Sequence, residues 1–387
     1  FKKRTTDSMN RQILITLLLS VFIALLGIGI IVPVMPVFAT QLGAGGFALG
    51  MVIAAFSISR GLLQPIVGSL SDRWGRKGFL VAGLFVYGLV GLLIPMAGSV
   101  LHLIMIRGFH GVGSAMIVPV AMAYMSSLAP VGREGRYQSY LNIAIFCGIG
   151  CGPIIGGICF DLLGFSSVFH LMAALSFCAF LLVMRHMPAY SPKSEPASRR
   201  LVENFSQMIR DRRTTGILLA RFATMIIMVP TMAFLPLLMT SRMSSTGFQV
   251  GLVIACRTLV NAVLQIPAGK MADKYDKRAL LMFGCICLSG AIFTIPRLES
   301  FQAMLILYCL LGSGEAIIWP VLGAYASQEG RQFYGHGTMM GVFSLSMSAG
   351  VFTGAMAAGF SMDHFGIEWA YYVTGTTVLV LSVIAAL

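Results

Sequence analysis

Twelve times between Ile13 and Leu387 the chain runs on apolar residues for roughly 20 positions, enough for a helix to cross about 30 Å of hydrocarbon. No long soluble domain fits between these runs. The spans read as 12–37, 47–69, 78–97, 101–128, 136–161, 166–184, 214–240, 248–269, 279–296, 302–326, 337–361 and 369–387. Composition agrees, since 11% of residues are charged against about 25% in a soluble domain.

A formal charge of +13 raises the question of a nucleic-acid partner, and the placement of the charges answers it. With even-numbered loops on one side, that side collects both termini, Arg73 to Lys77, the 187–213 stretch and Lys270 to Arg278. The opposite side holds only Arg242 and Arg297. This bias places the basic side in the cytoplasm, so the charge reports orientation and no nucleic-acid partner is expected.

All eight cysteines fall inside predicted spans, so no disulfide framework is implied. Cys147 and Cys151 share a helix face but read as small packing residues, and no metal site is expected. The first span is too long for a cleavable signal and is expected to serve as an anchor.

The chain also repeats itself. A shift of 201 residues lays Gly50 to Ala54 on Gly251 to Ala255, Gly68 on Gly269, Asp72 on Asp273, and Gly111, Gly113 and Pro119 on Gly312, Gly314 and Pro320. A shift of 202 matches Gly148, Gly152, Gly157 and Asp161 with Gly350, Gly354, Gly359 and Asp363. Six helices separate the copies, so both basic loops face the same side and the repeat is parallel. The predicted fold is an all-α integral membrane protein: two parallel six-helix bundles over 1–186 and 214–387, joined by a cytoplasmic linker over 187–213. Within that linker, Arg200 to Arg213 are expected to lie amphipathically on the membrane surface.

Three motifs stand out. Between spans 2 and 3 runs Gly68-Ser-Leu-Ser-Asp72-Arg73-Trp-Gly75-Arg76-Lys77. Gly68 permits close helix approach, and a carboxylate at Asp72 suits a facing helix N-terminus. The second copy keeps Gly269 and Asp273 but has Asp276 where Gly75 stands. Span 5 carries Gly148-x-x-x-Gly152-Pro153-x-x-Gly156-Gly157, a small-residue packing face with a proline kink. Span 4 carries Arg107-Gly-Phe-His110-Gly111-Val-Gly113-Ser-Ala115.

The first string resembles the major facilitator signature G-x-x-x-D-R-x-G-R-R/K. The second resembles the antiporter signature G-x-x-x-G-P-x-x-G-G, and the third resembles R-x-x-Q-G-x-G-x-A with His110 in place of Gln. With Gly27 and Pro33 of span 1, the chain resembles the drug–proton antiporter branch of the major facilitator superfamily. The resemblance implies a twelve-helix monomer, export, no cofactor beyond a proton gradient, and an acid five residues before a span-10 proline. Glu315 before Pro320 is that acid. Many relatives add an acid in span 1 or 7, which this chain lacks. Relatives also place an Asp at the inner end of span 4; here Ser127 stands there, with Glu134 the nearest substitute.

Ionisable residues in lipid are expensive and mark function. Glu315 is the one carboxylate near mid-span, whereas Asp161 and Asp363 lie at helix ends. Glu315 is assigned the coupling proton, and each buried arginine is read either as snorkelling or as its structural ion-pair partner. For an enzyme it would need a second acid–base group, and none is evident beyond His110. Arg60, Arg107, Arg221, Arg257 and His110 are candidates for substrate binding or gating, and they make the predicted cavity positive. The functional expectation is a proton-coupled exporter of anionic, zwitterionic or amphiphilic small molecules, in contact with membrane lipid. The alternative is a lipid or lysolipid flippase on the same fold. An enzyme is not expected, because H-E-x-x-H, G-x-S-x-G and paired intramembrane aspartates are all missing from the sequence. A bacterial inner membrane is the expected location.

Overall fold

The computed structural model describes residues 2–128, 134–188, 207–329, 332–333 and 336–386. Among these residues it is helical, with twelve stretches long and apolar enough to cross a membrane. We number them α1 (Gln12–Ile31), α2 (Gly46–Gly68), α3 (Arg76–Met96), α4 (Val100–Met125), α5 (Tyr140–Leu163) and α6 (Phe165–His186). The second six are α7 (Arg212–Met243), α8 (Gly247–Gln265), α9 (Arg278–Arg297), α10 (Phe301–Ala326), α11 (Met339–Phe365) and α12 (Ile367–Ala385). The protein is therefore a multi-pass integral membrane protein.

Proline does not end these helices: Pro65, Pro119, Pro153, Pro267 and Pro320 all lie inside them. The leading helix of each set of six is interrupted more strongly. After Ile31 the chain turns and resumes as a short helix, Met35–Gln41, with Pro36 in its first turn. In α7 a π-helical turn spans Pro230–Phe234, where the lost proline N–H loosens the backbone ladder.

The two sets of six meet along α2 against α11 and α5 against α8. Small residues make that approach possible. A Cβ on Gly46 would collide with Met362 and the Gly359 carbonyl, and one on Gly50 with the Ala355 carbonyl. Likewise, a Cβ on Gly251 would strike the Pro153 carbonyl. These contacts crowd the side away from the basic loops, which we term the far side. At Gly68, by contrast, a Cβ would meet nothing within 4 Å among the described residues. The halves are joined at the far side.

The 187–213 linker is described only at its ends. Residues 207–210 are helical, and Asp211 then caps α7, accepting from the Thr214 N–H at 2.9 Å. Arg212 and Arg213 thus belong to the first turn of a membrane helix rather than to a surface helix. Met208, fully buried with Ile217, Leu218 and Ala326, docks this end of the linker onto the second set of six.

Candidate functional site

The deepest charges lie in the second set. Gly312 lets α10 approach α8 so closely that a Cβ there would run into the Arg257 backbone. Across that crossing the Arg257 Nε donates to Glu315 Oε2 at 3.0 Å, while Nη2 donates to Oε1. Arg257 is 1% exposed and Glu315 4%, so this is a bidentate ion pair out of solvent. The remaining Arg257 nitrogen, Nη1, donates to the Thr231 hydroxyl. Thr231 stands in the π turn of α7, and its carbonyl accepts from the Tyr308 hydroxyl at 2.9 Å. Three helices are tied by one acid and one base.

The first set has a cation at its centre and no acid. The Arg107 guanidinium lies 4.4 Å from the ring centroid of Phe56 and donates through Nη1 to His110 Nδ1 at 2.9 Å. A guanidinium has only donors, so Nδ1 accepts and the imidazole proton sits on Nε2. That Nε2 is buried without a partner among the described residues. The His110 ring is held edge-on by Tyr87 at 4.6 Å and by Phe56 at 5.0 Å. His110 therefore serves Arg107, and of the arginines that the sequence offered as ion-pair partners for Glu315 it is Arg257 that makes the pair.

Arg60 stands in α2 beside the contact of that helix with α11, and Arg221 in α7 faces α11 and α10. Gly61, beside Arg60, packs against Ser348 of α11, whose carbonyl accepts from the Ser57 hydroxyl at 3.0 Å. On the neighbouring residue of α11, the Met347 sulfur accepts from Arg221 Nη2 at 3.1 Å. Arg221 also faces the rings of Phe343 at 4.9 Å and Trp319 at 5.4 Å. Trp319 in turn meets Phe146 of α5 at 6.1 Å, which brings the first set to the same place. The Nε atoms of Arg60 and Arg221 are buried without hydrogen-bond partners among the described residues.

The far side is latched twice. Asp161, at the end of α5, accepts from the N–H groups of Gly247 and Phe248 at 2.8 Å each, the first turn of α8. Asp363, near the end of α11, accepts from Gly46 and Phe47, the latter at 2.7 Å, in the first turn of α2. Each carboxylate caps a helix N-terminus of the opposite set, where partial positive charge favours it. The sequence showed both acids at helix ends; their equivalence under the 202-residue shift was the signal that they act as a pair.

The span-5 glycines pack as their spacing suggests. Gly148, Gly152 and Gly156 face the α1 backbone at Phe22, Gly29 and Ile30, and Gly157 faces Gly247 of α8. In the loop after α2, Gly75 adopts φ 97°, a left-handed conformation that excludes most side chains. Arg76 then donates to the Ala123 carbonyl at 2.6 Å and Lys77 to the Met184 carbonyl at 2.8 Å, so two cations cap the ends of α4 and α6. Asp276 replaces Gly75 by a different device: at φ −60° its carboxylate accepts from the Arg278 and Ala279 N–H groups. The side chains of Asp72, Arg73, Asp273, Ser127 and Glu134, and the surroundings of Gly269, lie outside the described residues.

Comparison with known proteins gives a consistent picture. The sequence profile of the Major Facilitator Superfamily matches residues 17–244 and 217–387. An uncharacterized MFS-type transporter of Methanocaldococcus jannaschii is 29% identical over 379 residues, covering 95% of this chain and 96% of that protein. Multidrug resistance protein 2 of Bacillus subtilis is 27% identical over 391 residues, covering 96% and 94%. Among solved structures, a bacterial homolog of the human lysosomal transporter Spinster superposes with TM-score 0.80 at 14% identity, over 98% of this chain and 95% of that one. The human organic anion transporter MFSD10 gives TM-score 0.70 at 17% identity, over 97% and 99%. At such identities these two structures speak for the fold alone.

Proposed function

The chain belongs to the major facilitator superfamily, and from that premise we propose that it is a proton-coupled exporter of small amphiphilic molecules working by alternating access. The observation that carries the coupling is the buried pair Arg257–Glu315, in which the membrane interior holds one carboxylate against one guanidinium. Protonating Glu315 turns a bidentate ion pair into a neutral acid beside an uncompensated cation. That change is large enough to shift the balance between two packings of α7, α8 and α10. A proton entering from the far side would thereby be linked to conformation through the same three helices.

In this reading 1–186 and 214–387 are the moving bodies and 187–213 is their tether. The basic side is cytoplasmic, with both termini there, and the host is a bacterial inner membrane. The described arrangement then opens toward the cytoplasm, with Asp161 and Asp363 closing the outside. Efflux suits the likeness to multidrug resistance proteins 1 and 2 of Bacillus subtilis. The chain acts as a monomer and performs no enzymatic step.

The test is substrate-induced proton release from acidified everted vesicles, read with a pH-gradient dye, for wild type beside Glu315→Gln. Release triggered by amphiphiles and lost in the variant supports the reading. Absence of release across cationic and anionic amphiphiles defeats proton antiport.

A further inference from the structure

A hollow of about 420 Å³ lies on the outer face of α12, away from the buried charges. One helical stripe lines it, beginning at Trp369 and running through Tyr372, Thr376, Thr377 and Val380 to Leu381. The opposite face of α12 packs on α7, α9 and α11, so this stripe is turned to lipid. Thr376 and Thr377 are the small residues that make it concave. Their hydroxyls donate to the Tyr372 and Val373 carbonyls at 2.8 Å each, which leaves a hydrocarbon floor. Rings stand at the far-side end. Trp369 meets Phe365 at 5.5 Å and Tyr372 at 6.0 Å, and Tyr372 meets Phe293 of α9 at 6.2 Å. Beside them Glu368 pairs with Arg242, whose guanidinium also donates to the Pro296 carbonyl. Under the 202-residue shift Phe365, Trp369 and Tyr372 become Leu163, Ser167 and His170, so the shared scaffold does not require this collar of rings.

We propose that the hollow holds one acyl chain of a phospholipid from the far leaflet, with its headgroup level with the Arg242–Glu368 pair. Depth fixes the occupant. From Trp369 to Leu381 the helical rise gives about 18 Å, and one leaflet of hydrocarbon is about 15 Å deep. Tryptophan and tyrosine at one end, with an exposed ion pair beyond them, follow the order of interface and headgroup. Below Leu381 the hollow ends, and Val383 and Ile384 stand exposed. A second copy of this chain would seek contact along the whole helix, whereas a lipid chain fills a groove one leaflet long. The gain comes from packing, since hydrocarbon is exchanged for hydrocarbon. The site is independent of proton-coupled export.

The experiment uses the full chain in mild detergent, with Trp74→Phe and Trp319→Phe leaving Trp369 as the sole tryptophan. The probe is phosphatidylcholine brominated on one chain, which quenches a tryptophan that it touches. Half-quenching is expected at a lipid-to-detergent ratio about tenfold lower than in the double variant Thr376→Phe/Thr377→Phe, which fills the groove. Those side chains project into lipid, so the fold is kept. Ile158→Phe/Leu162→Phe, which adds the same rings to the exposed far end of α5, leaves the ratio unchanged. Reversal of the quenching by unbrominated phosphatidylcholine gives a readout that needs no groove variant. Native mass spectrometry of the same samples is expected to show a monomer that retains one phospholipid and loses it in the filled variant. Quenching that rises at the same ratio in filled and unfilled chains, or that unbrominated lipid does not reverse, overturns the site. A dimer that the filled variant splits assigns the stripe to a second copy of the chain and overturns it as well.

Discussion

The two halves share one backbone crossing and fill it differently. Gly111 lets α4 approach α2 at the Phe56 carbonyl, and Gly312, its repeat equivalent, lets α10 approach α8 at the Arg257 carbonyl. The same 201-residue shift carries Phe56 onto Arg257, Arg107 onto Tyr308 and Ser114 onto Glu315. Cation and aromatic have thus changed helices between the halves, and only the second half received an acid. In the first half the cation is accommodated by a ring face and an imidazole, contacts that are tolerant of geometry. In the second it is fixed by a carboxylate through two directional bonds. A shared scaffold therefore holds one half whose central cation is neutralised by a carboxylate and one whose central cation is not.

The sharpest way to break this contrast is to remove the acid. Glu315→Gln leaves Arg257 buried without its carboxylate and should lower stability by about 3–5 kcal/mol, whereas removing both partners with Arg257→Gln should restore much of it. Arg107→Gln in the first half strands no opposite charge and should cost about 1 kcal/mol, the scale of a cation–π contact. Thermal unfolding in mild detergent compares them, and equal losses for Glu315→Gln and Arg107→Gln would erase the distinction between the halves.

A second comparison is between the symmetric contacts themselves. Gly50→Ala and Gly251→Ala each push a methyl into a carbonyl of the opposite half. Either should disfavour the far-side closure by about 1–3 kcal/mol, as overpacking does. Spin labels at the exposed Gln41 and Ser241, on helices that touch at the far side, should then report longer distances. Asp161→Asn and Asp363→Asn should act in the same direction by about 1 kcal/mol each. Effects of similar size support a paired latch, and an effect at one acid alone would make the other merely structural.

The smallest effect is expected at Asp211, the cap of α7. Its carboxyl is held below the usual carboxylate range by the Thr214 hydroxyl and N–H. A depressed folded-state value means that the cap is fully present at neutral pH and is lost as pH falls through that value. Asp211→Ala should cost about 1 kcal/mol at pH 7 and nothing further at strongly acid pH, measured as the pH dependence of the wild-type minus variant unfolding temperature.

The span count could be read directly because lipid imposes a length on every helix; the observed starts and ends fall within a few residues of the apolar runs except in the first, read to 37 but broken after Ile31. The packing role of Gly148, Gly152 and Gly156 was legible for a related reason: only small residues admit backbone this closely. Each ionisable residue also drew attention singly, since burial makes it costly. Its partner did not. Arg257 and Glu315 are 58 positions apart, and nothing local in either helix distinguishes that pairing from Glu315 with Arg60, Arg107 or Arg221.

By itself, then, the sequence determined twelve spans, a parallel repeat, a basic side and a short roster of buried charges, because solvent and lipid act on each segment separately. Which charges neutralise each other, which lie over aromatic rings, and which end of the molecule is latched were decided only by tertiary structure. Those outcomes depend on helix crossings a few ångströms wide, set by Gly111, Gly312, Gly50 and Gly251 together with the backbone each one faces. Electrostatic partnership in a low dielectric falls steeply with distance and desolvation, so it belongs to the packed molecule and not to the chain.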